Sequence, residues 1–303
     1  MRVYPSLKTI AVALAIALTS LPSVMAQNGA QVLKEKLLSI ISDKNMQVGI
    51  AVIIDGKDTL VINDDRRYPM MSVFKFHQAL AVVDYMERHD LPLSTHIYVD
   101  AADLKPDTYS PLRDRYPSGG EFTIAELLTY TLRLSDNNAC DILFGYTGGV
   151  GATDAFVRAL GYRNFAIMAA EADMHRDMRL CYDNWTFPSD AATLLEALVC
   201  GRILSDAGRQ FIVETMIGCD TGKNRLLAPL QSEHVVVGHK TGTGDRNDHG
   251  RIIGCNDIGF VILPNGHRYT IAVFVKDSAE SESDTSRIIA DISAAVYDYV
   301  KTL

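Results

Sequence analysis

What limits the fold most is where strand-like segments fall along the chain. Val48, Ile50, Val52 and Ile54 recur at alternate positions, Asp55-Gly56 supplies a turn, and Thr59 to Ile62 returns, which reads as a hairpin over 48–63. No comparable run follows for about 170 residues. Strand character then resumes in His234 to Gly238, Asp257 to Leu263 and Tyr269 to Val275, with Pro264-Asn265-Gly266 turning between the last two. Two early and three late strands imply one five-stranded antiparallel sheet built from both chain ends, around a helical insertion. The expected class is a two-lobed α/β fold. Residues 27–68 and 218–303 form its sheet lobe, residues 69–217 an all-helical lobe, and the cleft between them is the natural place for a site.

Helix signals fill the insertion. Phe74 to His89 is apolar on most faces, as a central buried helix would be. Thr123 and Glu126 have capping-box spacing ahead of an apolar run through Leu132. Asn138 to Tyr146 stops at Gly148-Gly149, and Thr153 to Leu160 stops at Gly161, residues favoured past helix ends. Pro188-Ser189 opens a helix that Gly201 closes, Ser205 to Ile217 follows, and Asp284 to Lys301 ends the chain with an amphipathic stripe.

Composition narrows the function. At 303 residues and 48% hydrophobic, the chain can bury a sizeable core. Its net charge of −8, without a basic stripe, argues against nucleic acid or an anionic membrane as partner. Arg2 and Lys8, the apolar run Ile10 to Leu18, and Val24-Met25-Ala26 read as a signal peptide, residues 1–26, cleaved after Ala26. A periplasmic or secreted protein with no membrane segment after cleavage is expected. The five cysteines are odd in number, so at least one thiol stays free, and whether any pair is bridged is left open. None of the eight histidines forms HxH or HExxH, and neither a metal nor another cofactor is expected.

Three short motifs carry chemistry. Ser72-Val73-Phe74-Lys75 opens the most apolar helix, Ser135-Asp136-Asn137 lies between two helices, and Lys240-Thr241-Gly242 is read at the end of a strand. An SxxK arises by chance roughly once in such a chain, whereas SDN and KTG each arise in roughly one chain in twenty. Their joint occurrence in this order is the informative signal. Serine needs a base within hydrogen-bond reach, and i,i+3 spacing puts Ser72 and Lys75 on one helix face. At a helix start the Ser72 N–H is free to meet a developing oxyanion. A lysine buried among Val73, Phe74 and Phe76 is pressed toward its neutral form unless paired. Ser135 offers a second hydroxyl for proton relay, and Lys240 suits an anionic substrate group.

With these motifs the chain resembles the class A serine β-lactamases over essentially its whole exported length. Tyr109-Ser110-Pro111 is similar to the family's aromatic gate, and the Asp277 to Ser281 stretch resembles the extended-spectrum, cephalosporinase branch. The resemblance implies a β-lactam substrate, a monomer, and no cofactor. It implies a Ser72 acyl-enzyme, Lys75 or Glu171 as acylation base, Ser135 as proton donor to the leaving nitrogen, and Glu171 as activator of the deacylating water. It further implies substrate contacts from Asn137, Tyr109, Lys240, Thr241, Gly242 and Thr243, and an oxyanion hole from the N–H groups of Ser72 and Thr243. His175 stands where many members carry an Asn that holds the water, and loop packing is its equal alternative. Arg225 is read either as support for the carboxylate site or as surface charge, and Asp136 as structural. No Arg lies two residues before Glu171, and Asn184 stands near the usual Asp, so the family's loop-closing salt bridge is expected to be absent. Two rival functions share the motifs: a penicillin-binding D-Ala-D-Ala peptidase and a non-catalytic β-lactam sensor. Glu171 and the lack of an anchor weigh against both.

Overall fold

The computed structural model describes residues 29–303, so the expected export segment lies outside the described residues. A helix over residues 29–41 (α1) comes first, then β1 (Gln47–Ile54) and β2 (Asp58–Ile62), the predicted hairpin. The chain continues through β3 (Tyr68–Pro69), a 3-10 turn over Met71–Val73, and α2 (Phe74–Arg88). Next come β4 (His96–Asp100), α3 (Pro111–Arg115), β5 (Gly119–Thr123), α4 (Ile124–Arg133), α5 (Asn137–Thr147) and α6 (Val150–Ala159). β6 (Phe165–Ala166), α7 (Glu171–Arg176), β7 (Trp185–Thr186), α8 (Pro188–Val199) and α9 (Asp206–Ile217) complete the insertion. The chain ends with β8 (Val236–Thr243), β9 (Ile252–Ile262), β10 (Arg268–Ser278) and α10 (Glu282–Val300).

The five-stranded sheet runs β2-β1-β10-β9-β8, antiparallel throughout, as the placement of strands at both chain ends implies. Strand alternation divides its residues between two cores. Ile50, Val52, Ile271 and Val273 point to one side, where Leu33 and Leu37 of α1 meet Ile289 and Val296 of α10. Ala51, Ile53, Ala272 and Phe274 point to the other, against Phe74 of α2 and Leu194 and Leu195 of α8. α8 is further fastened to the sheet by the Glu196–Arg268 ion pair at 2.8 Å. The sequence reading has no counterpart for α1, whose buried stripe is little more than Leu33 and Leu37.

The insertion is helical apart from short strand pairings that hydropathy does not reveal. β4 pairs with β5, and β3, β7 and β6 form a small sheet of their own. In β4 only Val99 is buried, and β3, β6 and β7 have two residues each, too few to show a period. The late strands are also longer than read, because buried polar residues such as Lys240, Thr241, Asn256 and Asp257 interrupt their apolar pattern. Lys240-Thr241-Gly242 therefore lies within β8, which runs on to Thr243. All five cysteines are free, Cys200 exposed and the others buried.

Candidate active site

Ser72 lies in the turn that carries β3 into α2. The buried Asn256 side chain pins this turn, its Nδ2 donating to the carbonyls of Pro69 and Met70 at 2.8 and 3.0 Å. Val73 N–H also donates to Met70 O at 3.1 Å, while the Ser72 N–H finds no backbone acceptor among the described residues. Met71 at φ 47° and Ser135 at φ 60° both hold left-handed conformations. Each costs a non-glycine residue about 1–3 kcal/mol, and such strain gathers at functional sites.

Lys75 follows one helical turn later and is fully buried. Its Nζ donates to Ser135 O at 2.7 Å and Asn137 Oδ1 at 2.6 Å, and lies 2.8 Å from Glu171 Oε1. The pairing that its burial demands is thus present. The Ser72 hydroxyl donates to the same Glu171 oxygen at 3.4 Å. Nucleophile, ammonium and carboxylate therefore meet at one atom.

Glu171 is the first residue of α7, and Asp141 fixes that end of the helix by accepting the N–H groups of Glu171 and Ala172 at 2.9 and 2.8 Å. Burial pushes the Asp141 carboxyl up to about 6, against the lowering effect of those two N–H groups. Sequence reading missed Asp141, although its i,i+4 spacing from Asn137 on α5 would have placed it on the same face. Asn184 does by hydrogen bonding what the missing salt bridge would do. Its Oδ1 accepts from Met168 N and Ala169 N at 2.7 and 2.9 Å, and its Nδ2 donates to Ala169 O at 2.8 Å. Asn184→Ala would leave those buried backbone groups unsatisfied and should lower stability by about 2–3 kcal/mol, read from urea unfolding midpoints. No loss beyond about 0.5 kcal/mol would remove Asn184 as the loop's closure.

The second motif is held by its central acid. Asp136, fully buried, caps α5 and accepts from Ala139 N at 2.8 Å, Leu112 N at 2.7 Å and Ser110 Oγ at 3.0 Å. It is structural, as read. This leaves Ser135 and Asn137 facing the cleft, where Asn137 Nδ2 donates to Thr108 Oγ1 at 2.7 Å. Tyr109 stands exposed on the rim.

β8 forms the opposite wall. Lys240 is fully buried and donates to Ser135 Oγ at 3.0 Å and Thr241 O at 2.8 Å. Among the described residues no carboxylate lies within ion-pair distance of it. Burial and the nearby Lys75 charge bring Lys240 down to about 7. At Gly242 an added Cβ would sit 2.5 Å from Met70 O, so only glycine lets the strand pass this close to the nucleophile turn. Gly244 N–H donates to Gly254 O at 2.8 Å, and by strand alternation the Thr243 N–H faces away from β9. Arg225 is buried and donates to Gly242 O at 3.0 Å, Asn256 O at 3.0 Å and Thr243 Oγ1 at 2.8 Å, which sets aside its reading as surface charge. His175, four residues beyond Glu171 on α7, is exposed on the cleft wall, and no protein group among the described residues fixes its ring.

The cleft between these walls holds about 660 Å³ and reaches Ser72, Tyr109, Ser135, Glu171, Thr241 and Thr243. Among the described residues no group of three or more His, Cys, Asp or Glu is placed to hold a metal ion. A serine at a helix start with a carboxylate and an ammonium in reach, beside a second ammonium lacking an anion, defines a serine acyl-transfer enzyme. Known proteins agree. The profile of the Beta-lactamase enzyme family matches residues 31–300. A beta-lactamase of Bacteroides uniformis is 39% identical over 97% of this chain and 100% of its own length. The extended-spectrum beta-lactamase PER-1 of Pseudomonas aeruginosa is 34% identical over 97% of this chain and 95% of its own. The crystal structure of a class A beta-lactamase from Bacteroides cellulosilyticus superposes with a TM-score of 0.87 at 39% identity, covering 91% of this chain and 99% of that one. The chain belongs to the beta-lactamase enzyme family, and within it to the class A serine enzymes.

Proposed function

We propose that this enzyme opens the lactam amide of β-lactam antibiotics, cephalosporins and penicillins, through a Ser72 acyl-enzyme that Glu171-activated water releases, and so confers resistance to them. The observation that carries this reading is the shared Glu171 Oε1, 3.4 Å from Ser72 Oγ and 2.8 Å from Lys75 Nζ. Lys75 has three acceptors, enough to occupy every proton of an ammonium and leave no lone pair, so Glu171 takes the Ser72 proton. Ser72 Oγ then bonds to the lactam carbonyl carbon, whose oxygen is met by the N–H groups of Ser72 and Thr243. Ser135, in contact with Lys240, gives its proton to the leaving nitrogen as the amide breaks, and the proton that Glu171 took from Ser72 then restores the Ser135 hydroxyl and returns Glu171 to its carboxylate form. Lys240, Thr241 and Thr243 hold the substrate carboxylate, with Gly242 allowing the approach. Asn137 binds the side-chain amide and Tyr109 closes the rim. In the second stage Glu171 deprotonates a water, which attacks the ester and restores Ser72. His175 lines the approach of that water.

The anion at Lys240 gives a pH dependence. A lysine is charged below its pKa, so the free enzyme holds its full attraction for a carboxylate below about 7 and loses it above. kcat/KM should fall along the alkaline limb from about pH 7, while kcat falls less, because bound carboxylate keeps the ammonium protonated. A flat kcat/KM profile up to pH 9 would contradict this assignment.

The two-lobed division at residues 69–217, export after Ala26 to the periplasm or medium, and a monomeric state complete the reading. The signal-like composition of residues 1–26 supports export, and among the described residues no helix is long and apolar enough to cross a membrane. A time course with a chromogenic cephalosporin, followed by intact-protein mass, tests the function. Many turnovers with free enzyme at the end are expected. One stoichiometric burst with a lasting adduct would replace the hydrolase with a peptidase or sensor.

A further inference from the structure

We infer that Asn256 and Arg225 form a buried hydrogen-bonded bracket that fixes the spacing of the two N–H groups of the oxyanion hole, making them positioning residues for acyl transfer. The inference rests on the reading that the Ser72 and Thr243 N–H groups meet the substrate oxygen.

The two donors come from segments far apart in the chain. Ser72 belongs to the turn after β3, and Thr243 ends β8, an edge strand of the sheet. Asn256, on the neighbouring β9, is fully buried. Its Nδ2 donates to Pro69 O and Met70 O at 2.8 and 3.0 Å, and its Oδ1 accepts Val275 N–H from β10 at 3.2 Å. These three partners fix the amide's orientation and tie the nucleophile turn to the sheet. The turn needs such a hold, because Met71, directly after the two carbonyls, sits at φ 47°. The second arm starts from Gly242, which precedes Thr243 and is the register partner of Asn256. Buried Arg225 donates through Nη1 to both carbonyls of this pair, Gly242 O and Asn256 O, at 3.0 Å each. Its Nη2 donates to Thr243 Oγ1 at 2.8 Å.

The two arms meet at residue 256. Its side chain holds the turn of one donor, and its carbonyl shares Arg225 with the strand of the other. Close packing leaves no slack between them: a Cβ on Gly242 would lie 2.5 Å from Met70 O and 3.3 Å from Asn256 Nδ2. An oxyanion hole works only if both N–H groups stand about 2.7–3.1 Å from the point where the oxygen will carry its charge. A drift of about 1 Å in either arm costs on the order of 10² in rate. Backbone donors have no rotamer to adjust, so the groups behind them set this geometry. Ser72 and Thr243 line the cleft, whereas Asn256 and Arg225 do not, so the pair acts through those two residues.

The test compares the full-length enzyme with Asn256→Ala and Arg225→Ala on a chromogenic cephalosporin and its methyl ester, well below each variant's unfolding midpoint. Each variant should lose about 10² in kcat/KM on both substrates. Affinity for an aryl boronic acid, whose Ser72 adduct is tetrahedral with an oxygen in the hole, should weaken by about the same factor. A lower midpoint with kcat/KM and boronate affinity within about twofold of the parent would reduce the pair to packing and overturn the bracket. The ester lacks the anion, so a loss in Arg225→Ala confined to the acid would make Arg225 a support for the carboxylate alone and also overturn the bracket. Should Asn256→Ala fail to fold, the ester result with Arg225→Ala decides. Thr243→Pro and Thr243→Ala test the underlying reading, since proline deletes the N–H at an edge-strand position that tolerates it and alanine keeps it. Proline should fall about 10²–10³ below alanine in kcat/KM. That loss beside unaffected Asn256→Ala and Arg225→Ala would overturn the bracket and spare the hole. Proline equal to alanine would remove the hole and the bracket with it.

Discussion

Ser72→Ala should lower kcat by on the order of 10⁵–10⁶, the scale seen when a serine hydrolase loses its nucleophile. No other hydroxyl can replace it. Ser135 Oγ is engaged by Lys240 at 3.0 Å, and among the described residues no carboxylate partners the Ser135 hydroxyl. The alanine keeps the backbone turn pinned by Asn256, and Lys240 and Arg225 keep their contacts, so substrate should still bind with a Kd near the parent KM. Stability should hold or rise, because the Ser72 hydroxyl makes only a long contact of 3.4 Å in a site already strained at Met71 and Ser135. Steady-state rates, ligand titration and thermal unfolding read these three outcomes separately. Residual turnover above about 1% of the parent, with no contaminating enzyme, would remove Ser72 from the nucleophile's role.

The electrostatics of the cleft divide the work between two lysines. Both are fully buried, yet Lys75 has a carboxylate at 2.8 Å and Lys240, among the described residues, has only neutral acceptors. A buried ammonium without an anion is costly, and the least disruptive anion to supply is one that arrives with the substrate. Affinity for a carboxylate therefore follows from leaving one charge uncompensated. The same reasoning explains why Lys75 is suited to organising groups already present: its protons go to Ser135 O and Asn137 Oδ1 of the second motif and to Glu171 of α7.

Legibility in the sequence followed the physics of each element. The sheet could be read because β1, β9 and β10 bury both faces and so form apolar runs at the two chain ends. The capping box at Thr123 could be read because it is local, and it forms with Glu126 N–H on Thr123 Oγ1 at 3.1 Å. β4 and β5 stayed hidden because a mostly exposed strand carries no alternation, and α1 because Leu33 and Leu37 are a thin stripe. Ser72, Lys75, Ser135 and Asn137 were visible because short spacings fix them, and Glu171 through its place between the motifs. Arg225 and Asn184 act across 18 and 15 residues of chain, and nothing in the local sequence announces such partners. Arg225 was ambiguous for that reason: its acceptors, Gly242 O and Asn256 O, are brought to it only by the sheet.

Glu171→Gln should trap the acyl-enzyme, with deacylation slowed by about 10²–10⁴. The substitution is nearly isosteric, and α7 should keep its position, since Asp141 holds the backbone N–H of residue 171 rather than its side chain. What changes is charge. The amide can still accept from Lys75, but it cannot take a proton from water, and among the described residues no other carboxylate makes an ion pair with Lys75. Acylation has a second route that deacylation lacks: once the carboxylate is gone, the fully buried Lys75 loses the partner that favours its charged form and can accept the Ser72 proton. The two stages should therefore separate, giving a burst of about one equivalent followed by slow turnover, with a lasting mass adduct on the protein. A missing burst with no adduct would mean that Lys75 cannot replace Glu171 as the base of acylation. Normal turnover without an adduct would take the hydrolytic water away from Glu171 altogether, and the carboxylate's 2.8 Å contact with Lys75 would then be its whole contribution.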